Sequence, residues 1–316
     1  MTTPPAPVPG LPDRLTIREV GPRDGLQPER PQPVERRVDL VRSLVGAGVS
    51  TIEVAAFVSP RAVPAMAEAS AVVAGVRDAL AAATGGGGTG GDVTLVALVP
   101  NVRGARMAAE SGVDALTLTV SASEAYSQRN VHMSVDESLA QVEAVRDAVG
   151  DALPLDTVVS CAFGSPYEGD LEPADVAALG RRALAAGSTS LTYADTTGMA
   201  TPARVAAVLG ETGTDVGLHM HDTRGTALVN VYAAMQLGVR RFDTAVGGLG
   251  GSPFAAGAGG NLATEDLVHL CDDVGVETGI DLAALLAVSA QVAELVGHAV
   301  PSRVAAAGPR SRLHPG

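Results

Sequence analysis

Short runs of β-branched and apolar residues alternate along this chain with longer, alanine-rich stretches whose apolar positions recur every three or four residues. The short runs predict strands at 15–19, 51–55, 94–98, 115–120, 157–161, 190–194, 216–220 and 241–245. The longer stretches predict helices, among them 34–47, 63–82, 136–149, 173–186, 202–210 and 226–237. Four helices end alike, in GAGVSTIEV from Gly46, ESGVDALTL from Glu110, AAGSTSLTY from Ala185 and QLGVRRFDT from Gln236. In each, a glycine supplies the left-handed position that stops a helix before the next apolar run. Eight strands alternating with helices imply a parallel sheet, and eight is the number that closes on itself. The expected fold is therefore α/β, a (β/α)8 TIM barrel with a glycine-rich lid loop after the eighth strand and C-terminal helices. An open doubly wound sheet is the alternative, but it needs a dinucleotide fingerprint after the first strand, and GPRDGLQ (21–27) is not one.

Composition narrows the picture. With 316 residues, 46% of them hydrophobic, the chain can bury one large core. A single barrel domain over 14–300 is expected, preceded by a disordered proline-rich tail (1–13) and followed by a loose tail (301–316). GGGGTGG at 85–91 reads as a flexible insertion, since no lysine and Ser/Thr follow it as a phosphate loop requires. A net charge of −13 repels polyanions and argues against a nucleic-acid partner. No apolar run approaches the roughly 20 residues of a membrane span, and the N-terminus has neither a basic nor an apolar leader region. Cys161 and Cys271, far apart, fit a reducing cytoplasm better than a disulfide.

Barrel enzymes carry their chemistry at the C-terminal ends of the strands. Those ends hold Arg23 and Asp24, Glu53, Cys161, Asp195, His219 and His221, then Ser252 and Asn261 in the last loop. His219 and His221 are two apart, so on a strand both imidazoles share one face and can reach one point. That is half a metal site; a hydrogen-bonded pair of core histidines is the reading the spacing leaves open. Asp24 adds a carboxylate and Asn261 an amide oxygen. Such hard or borderline donors suit Mg²⁺ or Mn²⁺, with Co²⁺ or Zn²⁺ also admitted, and one anionic ligand leaves the ion a Lewis acid. Arg23 can hold an enolate or carboxylate oxygen, or pair with Glu53 or Asp195, or do both. Asp195 is read as a substrate-hydroxyl or supporting group. Cys161 is assigned to packing. Gly247 to Gly260 contains seven glycines in fourteen residues, a loop able to approach a ligand closely.

Together the motifs EVGPRDGLQPE (19–29), IEVAAFVSPRAVPAM (52–66), SASEAYSQRNVHMS (121–134), SCAFGSPYEGD (160–170), ADTTGMATP (194–202), HMHDTRG (219–225) and GLGGSPFAAGAGGNLATEDLV (248–268) resemble the hydroxymethylglutaryl-CoA lyase family of the DRE-TIM metallolyases. The resemblance implies a metal-dependent carbon–carbon lyase that cleaves a 3-hydroxy-3-methylglutaryl-CoA-like thioester to acetyl-CoA and acetoacetate. It implies Asp24, His219, His221 and Asn261 as metal ligands, and Arg23, Glu53, Asp195, His219 and Ser252 as catalytic. It further implies Arg23, Gln27, Arg30, Ser123, Asn130, Gly250 and Gly251 around the acyl-CoA, in a homodimer. One position departs: the family loop reads G-G-C-P, and here the cysteine is Ser252. An alkyl hydroxyl is a far poorer acid than a thiol near pKa 8.5, so slower enolate protonation or another donor is expected. Two further readings stay open, a related lyase, aldolase or Claisen-type enzyme on another 3-hydroxyacyl-CoA or oxo acid, and a non-catalytic acyl-CoA- or metal-binding paralogue.

Overall fold

A computed structural model describes residues 8–84, 93–251 and 259–310. Its strands are β1 (Thr16–Glu19), β2 (Thr51–Ala56), β3 (Thr94–Leu98), β4 (Ala115–Ser121), β5 (Leu155–Ser160), β6 (Ser190–Ala194), β7 (Gly217–His219) and β8 (Arg241–Thr244). They pair in chain order, all parallel, and β8 returns to β1, so the sheet closes as expected. Around it run α1 (Val34–Gly46), α2 (Ala69–Thr84), α3 (Val102–Glu110), α4 (Glu124–Asn130), α5 (Val135–Val149), α6 (Pro173–Ala185), α7 (Pro202–Thr212), α8 (Ala227–Leu237), α9 (Thr264–Val274), α10 (Leu282–Val296) and α11 (Arg303–Ala307). The four glycines expected to stop helices, Gly48, Gly112, Gly187 and Gly238, all have positive φ, from 83° to 107°. Among the described residues, no helix is long and apolar enough to cross a membrane.

Several boundaries differ from the sequence reading, each for a local reason. The fifth strand starts at Leu155 and stops at Ser160, because Cys161 turns the chain at φ +56° while its N–H donates to Thr196 Oγ1 at 2.9 Å. The seventh ends at His219, because Met220 and His221 leave the ladder to pair with the last loop: Leu262 N–H donates to Met220 O at 2.9 Å, and His221 bridges Asn261. The helix expected over 63–82 is split, with a 3₁₀ turn at Pro64–Met66 and α2 beginning after Glu68, whose φ is +59°. Nor is all of 301–316 a loose tail. Ser302 caps α11, and Asp266 accepts from Ser302 Oγ at 2.7 Å and Val304 N–H at 2.9 Å. At the other end, Val8 N–H donates to Val274 O at 3.1 Å and Arg14 bridges Glu277, so residues 8–14 lie against α9 and the turn that follows it. The glycine insertion at 85–91 lies outside the described residues.

The apolar core lies between strands and helices, where Leu40, Leu44, Ile52, Val72, Leu95, Val142, Leu155, Val205 and Leu218 are fully buried or nearly so. The inside of the barrel is different. Arg18 of β1 reaches Asp243 of neighbouring β8 and, across the barrel, Asp156 of β5 at 2.8 Å. Glu53 of β2 accepts from Thr117 of β4, again across the interior. Charged groups are seldom buried unless paired and hydrogen-bonded, so this interior is built for a site above it.

Candidate active site and metal centre

After β1 the chain coils into a single π-turn, Gly21–Gly25, in which Leu26 N–H donates to Gly21 O at 2.9 Å. Such turns are uncommon and concentrate at functional sites. This one turns Arg23 and Asp24 into the mouth. Glycine at 21 is required by space, since a Cβ there would sit 2.5 Å from Glu19 Oε1. Arg23 places Nε 2.5 Å from Glu53 Oε2 and Nη1 2.6 Å from Asp24 Oδ1, and is 8% exposed. Burial would lower its pKa, but Glu53 and Asp24 outweigh that and hold it cationic. Both partnerships considered for Arg23 therefore resolve toward Glu53, not Asp195.

His219 ends β7 and His221 follows two residues on, their Nε2 atoms 3.1 Å apart. His219 Nδ1 lies 3.2 Å from Asp243 Oδ2, and His221 Nδ1 lies 3.2 Å from Gly259 O. A carboxylate and a carbonyl can only accept, so each imidazole carries its hydrogen on Nδ1 and turns the Nε2 lone pair inward. Two lone pairs facing each other at that distance repel unless a proton or a cation lies between them. Asp24 Oδ2 stands 3.9 Å from His219 Nε2, and the ligand atoms of Asp24, His219 and His221 lie within 4.8 Å of one another. Asn261 joins them through Nδ2, which donates to Asp24 Oδ2 at 2.8 Å and to Leu249 O at 2.9 Å, while its buried Oδ1 has no partner. Asp24, His219 and His221 thus bring ligand atoms together, and Asn261 touches the group through its Nδ2.

Electrostatics specify the charge that would fit there. Burial alone would raise Asp24, but Arg23, His219 and His221 hold it near pKa 2. Burial and then His219 push His221 down to about 4. For His219, burial is outweighed by the hydrogen bond and charge of Asp243 and by Asp24, which raise it. The pair therefore holds one proton at most near neutrality. In the connected interior network, the guanidiniums of Arg18 and Arg23 face the carboxylates of Asp24, Glu53, Asp156 and Asp243. With neutral imidazoles, two positive charges against four negative leave a surplus of two, the charge a divalent cation cancels. The converging ligand atoms, two imidazole nitrogens and a carboxylate oxygen, fit such an ion.

Asp195 follows β6 and is 1% exposed. Its Oδ1 accepts from the N–H groups of Met199 at 2.7 Å and Ala200 at 2.9 Å, while Oδ2 is buried without a partner. Burial lifts its pKa to about 6 against those two bonds. Glycine at 250 is dictated by both backbone and space: φ is +103°, and a Cβ would lie 2.5 Å from Asn261 Nδ2. Gly251 follows it. Gln27 and the exposed Arg30 continue the chain beyond the π-turn, while Ser123 caps α4, accepting from Tyr126 N–H, and Asn130 ends that helix. Gln27 N–H donates to Asp24 O at 3.3 Å, while Ser123 and Asn130 lie after β4, at the same end of the barrel. Ser252 lies outside the described residues. Cys161 is wholly buried and burial pushes its thiol up to about 12, which suits packing and not proton transfer. The sequence reading does not include Asp243, which lies two residues into β8 and pairs across to His219 of β7.

The HMGL-like family model matches residues 14–292. An (R)-citramalyl-CoA lyase from Chloroflexus aurantiacus is 42% identical over 311 residues, covering 94% of this chain and 96% of that protein. A cytoplasmic 3-hydroxy-3-methylglutaryl-CoA lyase from Mus musculus is 36% identical, covering 97% of this chain and 88% of its own. The solved structure of an HMG-CoA lyase from A. baumannii in complex with coenzyme A and 3-methylmalate superposes with a TM-score of 0.88 at 39% identity, covering 96% and 98% of the two chains. The chain belongs to the HMGL-like family and, within it, is a carbon–carbon lyase.

Proposed function

We propose that this lyase cleaves the C2–C3 bond of a 3-hydroxy-3-methylglutaryl-CoA-like thioester, with Mg²⁺ or Mn²⁺ held by Asp24, His219, His221 and Asn261. The observation that carries the reading is the convergence of two inward Nε2 lone pairs on Asp24, beside an arginine locked in place. When bound, the cation would supply Lewis acidity for the tertiary hydroxyl. The residues do the rest. Asp195, with one free oxygen and a pKa lifted to about 6, is suited to take the hydroxyl proton. As that proton leaves, C3–O becomes a ketone, the C2–C3 bond breaks, and its electrons pass to the thioester as an enolate. Arg23 gives Nε–H to Glu53 and one Nη1–H to Asp24, with Nη2 also ion-paired to Glu53, so N–H groups remain on its Nη atoms to hold the enolate oxygen. A proton delivered to C2 completes acetyl-CoA. Helices such as α8, with Val229 and Leu237 exposed, give this chain an apolar outer face on which to pair as a homodimer.

A second reading is favoured by the 42% identity to a citramalyl-CoA lyase. (R)-Citramalyl-CoA has the same tertiary 3-hydroxyl and methyl with one methylene fewer, and its cleavage yields pyruvate where the longer substrate yields acetoacetate. Turnover of both thioesters with Mg²⁺ and Mn²⁺, the ketone identified by mass spectrometry, separates the two. Release of neither ketone removes the thioester-lyase reading. In either case Ser252→Cys is expected to raise kcat at least tenfold if enolate protonation limits the rate, and an unchanged kcat places the proton donor elsewhere.

A further inference from the structure

Beneath the metal cluster, a column of charged side chains runs down the inside of the barrel to its opposite mouth. Asp243 Oδ2 meets His219 Nδ1 at 3.2 Å. Arg18 grips both oxygens of Asp243, Nε at 2.8 Å and Nη2 at 2.7 Å. The same guanidinium reaches Asp156 Oδ2 at 2.8 Å, and Asp156 in turn accepts from Ser190 Oγ at 2.7 Å and Thr192 Oγ1 at 2.8 Å. The column ends at a cavity of about 170 Å³ at the N-terminal mouth, lined by Thr16, Arg18, Asp156 and Arg241 among others. Nothing in the chemistry at the upper rim requires charges this deep, and an apolar filling is the usual content of such barrels. A buried guanidinium with two carboxylates is a poor device for stability alone, since apolar replacements of similar volume often do as well.

We propose that Asp243 and Arg18 are positioning residues for the metal centre: Arg18 fixes Asp243, and Asp243 fixes His219 in the tautomer that offers its Nε2 lone pair. The bidentate grip matters because it leaves Asp243 no freedom to rotate away from the imidazole. Partners of this kind set the orientation and basicity of a ligating histidine, and their loss typically weakens metal binding 10- to 100-fold. The inference rests on the metal reading above but makes a statement about the metal-free protein as well, so the two can fail separately.

Asp243→Asn is the direct test. An amide whose oxygen takes the place of Oδ1, beside Arg18 Nε, turns its NH₂ toward His219 Nδ1, which then accepts, moving the imidazole hydrogen to Nε2. Nitrogen-15 NMR of the metal-free parent should show His219 protonated on Nδ1, and in Asp243→Asn on Nε2. Titration with Co²⁺ should show a 10- to 100-fold loss of affinity in Asp243→Asn, and a smaller, measurable loss in Arg18→Lys, whose single ammonium cannot hold both carboxylates. An Asp243→Asn protein binding Co²⁺ within twofold of the parent overturns the proposal. So does a loss of affinity with His219 still protonated on Nδ1, since that loss would come from general disturbance of the barrel. If Asp243→Asn does not fold, Arg18→Lys decides, and an unaltered Co²⁺ affinity there overturns it. If the parent itself binds no Co²⁺, the metal reading fails while the tautomer comparison still decides the relay.

Discussion

At the scale of single residues, the site is a competition between protons and a cation for the same lone pairs. His219 has its pKa raised by Asp243 and Asp24 against burial, so it gives up its extra proton at higher pH than an ordinary imidazole, and below that point an incoming ion must displace the proton. Metal affinity is therefore expected to rise with pH until His219 is neutral, then level off, with proton release seen by calorimetry in two buffers of different ionisation enthalpy. An affinity that did not change with pH would contradict the raised pKa. Asp24, His219, His221 and Asn261 were legible in the sequence because period-two spacing and strand-end position are local signals. Asp243 and Arg18 were not, because an ion pair between the first and last strands exists only after the sheet has closed.

At the scale of elements, the strand and helix order was legible from periodicity, and the misplaced ends share one cause. Met220 and Cys161 are apolar residues in apolar runs, which read as strand, yet tertiary contacts divert both at the rim. α3 is legible only at its end, ESGVDALTL from Glu110, because Asn101, the side chain that caps its start, follows an apolar strand with no other start signal. α5, by contrast, begins with a full capping box: Ser134 Oγ accepts from Glu137 N–H at 3.1 Å and Glu137 Oε2 accepts from Ser134 N–H at 2.7 Å. Ser134→Ala should cost about 1 kcal/mol and lower the melting temperature by roughly 2 °C, with kcat unchanged. A loss of activity without a fall in melting temperature would mean that this exposed cap has a role in substrate binding.

At the scale of the whole molecule, three buried carboxylates tie the last loop and the C-terminal helices to the barrel. Glu19 Oε1 accepts from Gly21 N–H at 2.7 Å and Val246 N–H at 2.9 Å; Glu265 accepts from Gly247 N–H and Ser289 Oγ; Asp266 holds α11. Burial lifts Glu19 to about 7 in spite of its hydrogen bonds. A carboxyl whose folded pKa lies above the ordinary 4.5 favours folding while protonated, and that contribution is lost as pH rises through about 7. The loss amounts to about 3 kcal/mol at full ionisation, at about 1.4 kcal/mol per unit. Metal-free protein should thus melt at lower temperature at pH 9 than at pH 6, and Glu19→Gln, which keeps the acceptor for Gly21 and Val246, should flatten that slope. Equal slopes in parent and variant would show that another group is responsible.

The ring of staves is completed where the earliest meets the latest, and the residues proposed to hold the ion stand on both sides of that joint: Asp24 just past β1, Asn261 in the long loop after β8. A bound divalent ion would act there as a rivet, driven through the one place where a barrel can spring open. No half of this chain carries the full set of holders, so the cluster exists only once synthesis has reached the final loop. Loading with metal would then mark a finished molecule.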